Sequence, residues 1–154
     1  MAVMERVRTV TIREATLEDV PQLVTMGHQF LTQTAYQGRI ADNPDAMAAM
    51  AIRLIEQSDG LLLIAEQDGD AVGMIGFLCF AHHLSGERIA AEVFWWVSPD
   101  VRGSLGIRLL KRAEQWAKAQ GVSTIQMVAP TERVGLIYQK LGYEPVERAY
   151  QRTL

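Results

Sequence analysis

Valine and isoleucine alternate with arginine and threonine from Val7 to Arg13, a period of two that predicts a half-buried strand. Thr16 with Asp19 three residues later has the form of a capping box and predicts a helix running to about Gln33. Asn43 before Pro44 predicts a second helix start, since Asn accepts from an orphan amide and proline there gives up a donor the helix does not use. That helix is expected to end near Gln57. LLLIAEQ and AVGMIGFLCF flank Asp68-Gly69, a pair that tolerates the positive φ of a tight turn, so two antiparallel strands are expected. After the loop HHLSGER, IAAEVFWWV is nearly continuous in apolar residues and reads as a strand buried on both faces.

The second half adds a period of 3.6. Leu109, Leu110, Ala113, Trp116 and Ala117 make one helical face against a charged one, and Gly121 is placed to end that helix. STIQMV reads as a short strand. Thr131 opens a further helix with the stripe Val134, Ile137, Tyr138 and Leu141, and Gly142 closes it. YEPVERAYQRT is expected to add a final strand, with Pro145 at an edge or a bend. The order β-α-α-β-β-β-α-β-α-β predicts an α/β (α+β) fold, a mixed and mostly antiparallel sheet with helices packed on it.

A chain of 154 residues has room for one domain with a real core, expected over residues 1–154, and no composition shift marks a linker. A net charge of -3 supplies no drive toward nucleic acid. Cys79, the one cysteine, lies in the apolar run MIGFLCF and reads as a buried small hydrophobe. The N-terminus MAVMERVRTV lacks an apolar h-region, and the apolar run from Ala71 to Ala81 is too short to span a bilayer. A cytoplasmic chain without a membrane partner is the expectation.

Between the strand ending at Val97 and the helix carrying Leu109 lies a turn holding Arg102, Gly103, Ser104, Leu105, Gly106 and Ile107. A helix start presents unpaired amides and the positive end of the peptide dipoles, and glycines let a ligand come close to the backbone. Neither G-x-G-x-x-G nor the Gly-Lys-Ser/Thr end of a Walker loop is present. The pattern by itself fits an anion site or a solvated helix cap.

The stretch VSPDVRGSLGIRLLKRAEQWAKAQGV, followed by a short strand and IYQKLGYEPV, resembles the GCN5-related N-acetyltransferase (GNAT) family. IREATLEDVPQLV is similar to that family's first strand and helix, and LLLIAEQDGDAVGMIGF to its central hairpin. The resemblance implies helices on both faces of the sheet and a site for acetyl-CoA, with Val97 at the strand's end and the loop from Arg102 to Ile107 binding pantetheine and pyrophosphate through main-chain groups. The glycine spacing departs from the family's, since Ser104 takes the middle glycine's place when the loops are aligned on Gly106.

Acyl transfer to an amine needs the amine neutral, and a lysine-like amine at pH 7 carries a penalty of about 4.6 kcal/mol, whereas a thiol leaves passably as thiolate. Glu92 interrupts an apolar strand, and plain alternation puts it on the face of Phe94 and Trp96, where desolvation would raise its pKa. It is either the base, as its similarity to the glutamate of the family's histone-modifying members implies, or a strand-start carboxylate facing solvent or Arg88. Tyr138 matches the family's tyrosine that protonates the leaving thiolate, and it also belongs to a core stripe. Trp95 and Trp96 fall on opposite faces as core residues, with Trp96 placed to wall an acyl pocket. His82 and His83 without a second ligand pair make no metal site.

The resemblance implies direct transfer of an acetyl group from acetyl-CoA to a primary amine, small-molecule or peptide. A non-catalytic acyl-CoA-binding regulatory domain of the same fold is the alternative. The acceptor is expected against TAYQGRIADN, which carries Tyr36, Gln37, Arg39 and Asp42, and the family's habit extends to a homodimer through the C-terminal strands.

Overall fold

The computed structural model describes residues 8–101 and 103–154. Strand β1 (Val10–Glu14) leads through a 3-10 turn (Leu17–Asp19) into helix α1 (Val20–Thr32), and α2 (Pro44–Glu56) follows. Val7, the expected strand start, lies outside the described residues, and pairing begins at Val10 opposite Gln67. The cap at Thr16 is tied in twice. Asp19 Oδ2 accepts from the Thr16 amide at 2.7 Å, while Arg13 donates to both oxygens of the same carboxylate at 2.7 and 2.8 Å. Asn43 Oδ1 accepts from the Ala46 amide at 3.1 Å and starts α2 as expected.

Strands β2 (Gly60–Gln67) and β3 (Asp70–Ala81) form the expected hairpin, with Asp68 and Gly69 at φ of 53° and 86°, the signs that a type I′ turn requires. Strand β4 (Arg88–Val97), α3 (Leu105–Ala119), β5 (Ile125–Gln126) and α4 (Glu132–Lys140) complete the elements. The strands lie in the order β1-β2-β3-β4-β5, antiparallel up to β4 and parallel between β4 and β5. Helices α1 and α2 cover one face, α3 and α4 the other. Strand β2 serves both: Leu61, Leu63 and Ala65 join the core under α3, and Leu62 and Ile64 the core under α1 and α2. Burying each such leucine or isoleucine contributes about 1.5 to 3 kcal/mol, which explains why these strands are apolar on both sides. Among the described residues no helix is long and apolar enough to cross a membrane.

Two expectations fail here. Glu92 pairs with Phe77 and Phe94 with Gly76, so Val93 is an extra residue in β4. This bulge breaks the alternation: Val93 and Phe94 both pack under α1 and α2, with Trp96, whereas Trp95 packs on the α3 and α4 side. Glu92 therefore does not share a face with Phe94 and Trp96. It sits opposite them, where Tyr138 meets it. Gly76 makes the bulge possible, because a Cβ there would come within 2.9 Å of both Phe94 and Leu54.

The final strand is also missing. Residues 143–154 pair with no strand, and Val146 and Tyr150 are exposed. The segment has Glu144, Glu147, Arg148, Gln151 and Arg152 around those two apolar residues, so a strand there has no face to bury. Its fixed points are Tyr143, whose hydroxyl donates to Glu114 at 3.1 Å, and Gln151, which donates to the Arg39 carbonyl at 2.9 Å.

Candidate active site

Strands β4 and β5 are paired over Ala90–Ile125 and Ala91–Gln126 and nowhere beyond. The expected strand STIQMV is thus cut short, and the bulge at Val93 accounts for it, since a bulged strand bends and twists away from its neighbour. From Glu92 to Val97, β4 keeps its bonds to β3 but has no strand on its other edge. Helix α4 packs into part of the wedge. Thr131 caps that helix by accepting from the Val134 amide at 3.2 Å, and the helical period then turns Val134 and Tyr138 inward together.

Tyr138 is buried, with its ring 5.7 Å from that of Trp95 and 5.6 Å from that of Tyr143. Its hydroxyl is 3.2 Å from Glu92 Oε2 and 3.1 Å from the Val128 carbonyl oxygen. A tyrosine has one hydroxyl hydrogen, so it cannot donate fully to both. When Glu92 is protonated the conflict disappears, because the carboxylic acid donates to Tyr138 while Tyr138 donates to Val128. Burial pushes Glu92 from its ordinary 4.5 to about 7, with the bonds from Tyr138 and the Val128 backbone opposing that rise. Burial, and then the Glu92 charge, pushes the Tyr138 hydroxyl above its usual range, so it keeps its proton at neutral pH.

Both side chains open onto a cavity of about 230 Å³. Phe30 of α1, with Tyr36 and Ile40 after it, form one wall, and Trp95, Pro130 and Val134 stand on the other sides. The two tryptophans exchange their expected roles. Trp95 lines the cavity, while Trp96 is buried on the far face and donates its ring N–H to Gln33 at 3.3 Å. Phe30, Pro130 and Val134 were invisible as site residues in the sequence, because wall positions carry no chemical signature. Tyr36 and Ile40 were legible only as part of an acceptor region.

At the other end of β4, half-buried Val97 precedes the expected anion loop. Arg102 lies outside the described residues. Gly103 takes φ of 95°, a region where any other residue is strained, and a Cβ there would meet nothing within 4 Å. Ser104 is the N-cap of α3 but makes no side-chain cap bond, and no acidic residue occupies the first turn. The amides at Leu105, Gly106 and Ile107 open the helix, at the positions an α-helix leaves without intrahelical partners. Leu105 is buried and anchors the turn, and a Cβ on Gly106 would lie 3.4 Å from Trp95 and 3.5 Å from Val97, so α3 begins close against β4. These residues suit a ligand carrying an anionic group at the loop and a chain that runs along the free edge of β4 toward Glu92.

Cys79 is buried in the core under α3, and burial raises its thiol pKa, which leaves it unsuited to act as a nucleophile. His82 and His83 stack on each other with ring centroids 4.7 Å apart. Among the described residues no group of three or more His, Cys, Asp or Glu side chains could hold a metal ion.

The sequence profile described as the acetyltransferase (GNAT) family matches residues 26–143, well over half of the chain. No curated protein matches the sequence. Among solved structures, the chain is similar to a predicted acetyltransferase with acetyl-CoA from Clostridium acetobutylicum, at TM-score 0.79 and 17% identity, covering 94% of this chain and 96% of that one. It is similar to the aminoglycoside N-acetyltransferase AAC(6')-Iy in complex with CoA, at TM-score 0.78 and 17% identity, covering 99% of both chains. A transcriptional regulator from Bacillus halodurans C-125 has TM-score 0.77 and 22% identity, over 95% of this chain and all of the other.

Proposed function

The chain belongs to the GNAT family of acetyltransferases, and from that premise we propose that it moves an acetyl group from acetyl-CoA to a primary amine by direct transfer, with both substrates bound together. The single observation that carries this reading is the contact of the Tyr138 hydroxyl with the Glu92 carboxylate inside a cavity that opens where β4 and β5 part. Acetyl-CoA supplies an acyl group already activated as a thioester. The backbone of Gly103, Ser104, Leu105, Gly106 and Ile107 binds the pyrophosphate, with Arg102 assigned to the same role on its sequence position. The free edge of β4 from Val97 back to Glu92, roughly 16 Å of strand, offers amides and carbonyls to the pantetheine arm.

Glu92 takes a proton from the acceptor's ammonium so that the neutral amine can attack, a role that suits a carboxylate with a pKa of about 7, because the base is then partly ionised and still holds a proton well at working pH. Tyr138 donates its proton to the departing sulfur and recovers one from Glu92 across their 3.2 Å contact. Of the two protons the ammonium loses on becoming an amide, one thus passes through Glu92 and Tyr138 to the thiol and the other leaves from Glu92 to solvent, so both side chains end as they began. The alternative, a domain that binds acyl-CoA without chemistry, gives no reason to bury a carboxyl group that costs stability when ionised. The test is amine-dependent release of CoA thiol from acetyl-CoA, with the acetylated amine identified by mass. Activity in the wild type that Glu92→Gln strongly reduces supports the proposal, and equal activity in the two chains refutes the role of Glu92.

A further inference from the structure

The cavity beside Glu92 is lined by aromatic and aliphatic side chains, and we infer that the acceptor is a monoamine on a compact apolar body, not a polyamine or an amino sugar. The inference rests on the acetyltransferase reading and concerns the acceptor end of that site. Among the described residues that line the cavity, Glu92 is the one carboxylate, and no lysine, arginine or histidine joins it. The hydroxyls of Tyr36 and Tyr138 and the unpartnered indole N–H of Trp95 are the other polar side-chain groups of those residues, and none of them carries a charge to meet a cation.

One carboxylate satisfies one ammonium. A second ammonium on the same small molecule would leave water to stand against Phe30, Trp95 or Val134, where nothing negative repays its lost hydration. Aromatic faces do attract cations, but less strongly than hydration does, so the Phe30 and Tyr36 rings, 5.5 Å apart and tilted by 36°, suit an apolar body better than a further charge. The volume of about 230 Å³ falls below the usual span for drug-sized ligands, which favours a small acceptor body. Ile40 is 48% exposed at the rim, so the cavity's apolar character extends to its mouth.

Initial rates with acetyl-CoA are to be compared for 2-phenylethylamine, spermidine and kanamycin, with the melting-temperature rise on adding acetyl-CoA recorded alongside. The expected kcat/KM for 2-phenylethylamine exceeds that for either polycation by about tenfold or more. Ile40→Glu, which adds a second carboxylate at an exposed position, should narrow the ratio against spermidine. A polycation used as well as or better than 2-phenylethylamine overturns the inference and leaves the acetyltransferase reading standing, as does a ratio that Ile40→Glu leaves unchanged. Acetylation of none of the three also overturns it. In that case a melting-temperature rise with acetyl-CoA keeps the cosubstrate assignment, whereas no rise removes the proposed function as well.

Discussion

The Tyr138 hydroxyl lies 3.2 Å from Glu92 Oε2, although 46 residues separate the two in the chain. Three local features bring them together: the bulge at Val93 that reverses the face of Glu92, the early parting of β4 from β5, and the Thr131 cap that sets the phase of α4. The contact has consequences for stability as well as for the catalysis proposed above.

Glu92 costs stability once it ionises. Its folded-state pKa of about 7 exceeds the ordinary 4.5, so between those values the folded chain holds a proton that the unfolded chain has released. Stability therefore falls as pH rises through that window. Glu92→Gln carries no such proton, so thermal melts should show the variant gaining on the wild type between pH 5 and pH 8. A difference that does not change with pH would mean that Glu92 titrates in its ordinary range.

Tyr138→Phe keeps the ring packed on Trp95 and Tyr143 and removes only the hydroxyl. Turnover should fall by up to the 10² to 10⁴ range of general acid catalysis, with KM for acetyl-CoA nearly unchanged. Stability should drop by about 1 kcal/mol at most, whereas Tyr138→Ala should cost about 3 to 5 kcal/mol through the cavity it leaves. Steady-state kinetics and denaturant melts separate these outcomes.

Ser104→Asp distinguishes a helix cap from an anion site by opposite signs. Aspartate at the N-cap of α3 favours the helix through the dipole by about 0.3 to 1 kcal/mol, so the ligand-free chain should melt no lower than the wild type. The same charge repels a pyrophosphate, so calorimetry should show acetyl-CoA bound about tenfold more weakly. Unchanged affinity would place the pyrophosphate elsewhere.

Asp19 anchors the start of α1 by an opposite mechanism. The bond from Arg13, and then the Thr16 amide, holds its carboxyl at about 2, below the ordinary 3.8. A depressed carboxyl contributes stability that is full above the unfolded value and is lost as pH falls through the folded one. Asp19→Asn should cost about 1 to 2 kcal/mol at pH 7 and progressively less below pH 4, as followed by denaturant melts.

Elements that announce themselves locally were legible in the sequence. Asp68-Gly69, Asn43-Pro44 and Thr131 each act on backbone within four residues, and each does in the structure what its chemistry implies. Glu92 and Tyr138 were legible as candidates, but the geometry joining them was not. A bulge depends on what the neighbouring strand offers, here Gly76 with room for Phe94, and no pattern within β4 records that. The tail failed for a related reason: the expected strand rested on the position of YEPVERAYQRT after α4, and its residues lack an alternating apolar face.

The most direct test of the account is the pH dependence of kcat/KM for the wild type and Glu92→Gln, using an acceptor whose own amine titrates above pH 9. The expected wild-type profile climbs roughly tenfold per pH unit at low pH and bends near pH 7, where Glu92 titrates, and that bend is absent from the variant. The same bend at the same pH in both chains would contradict the account.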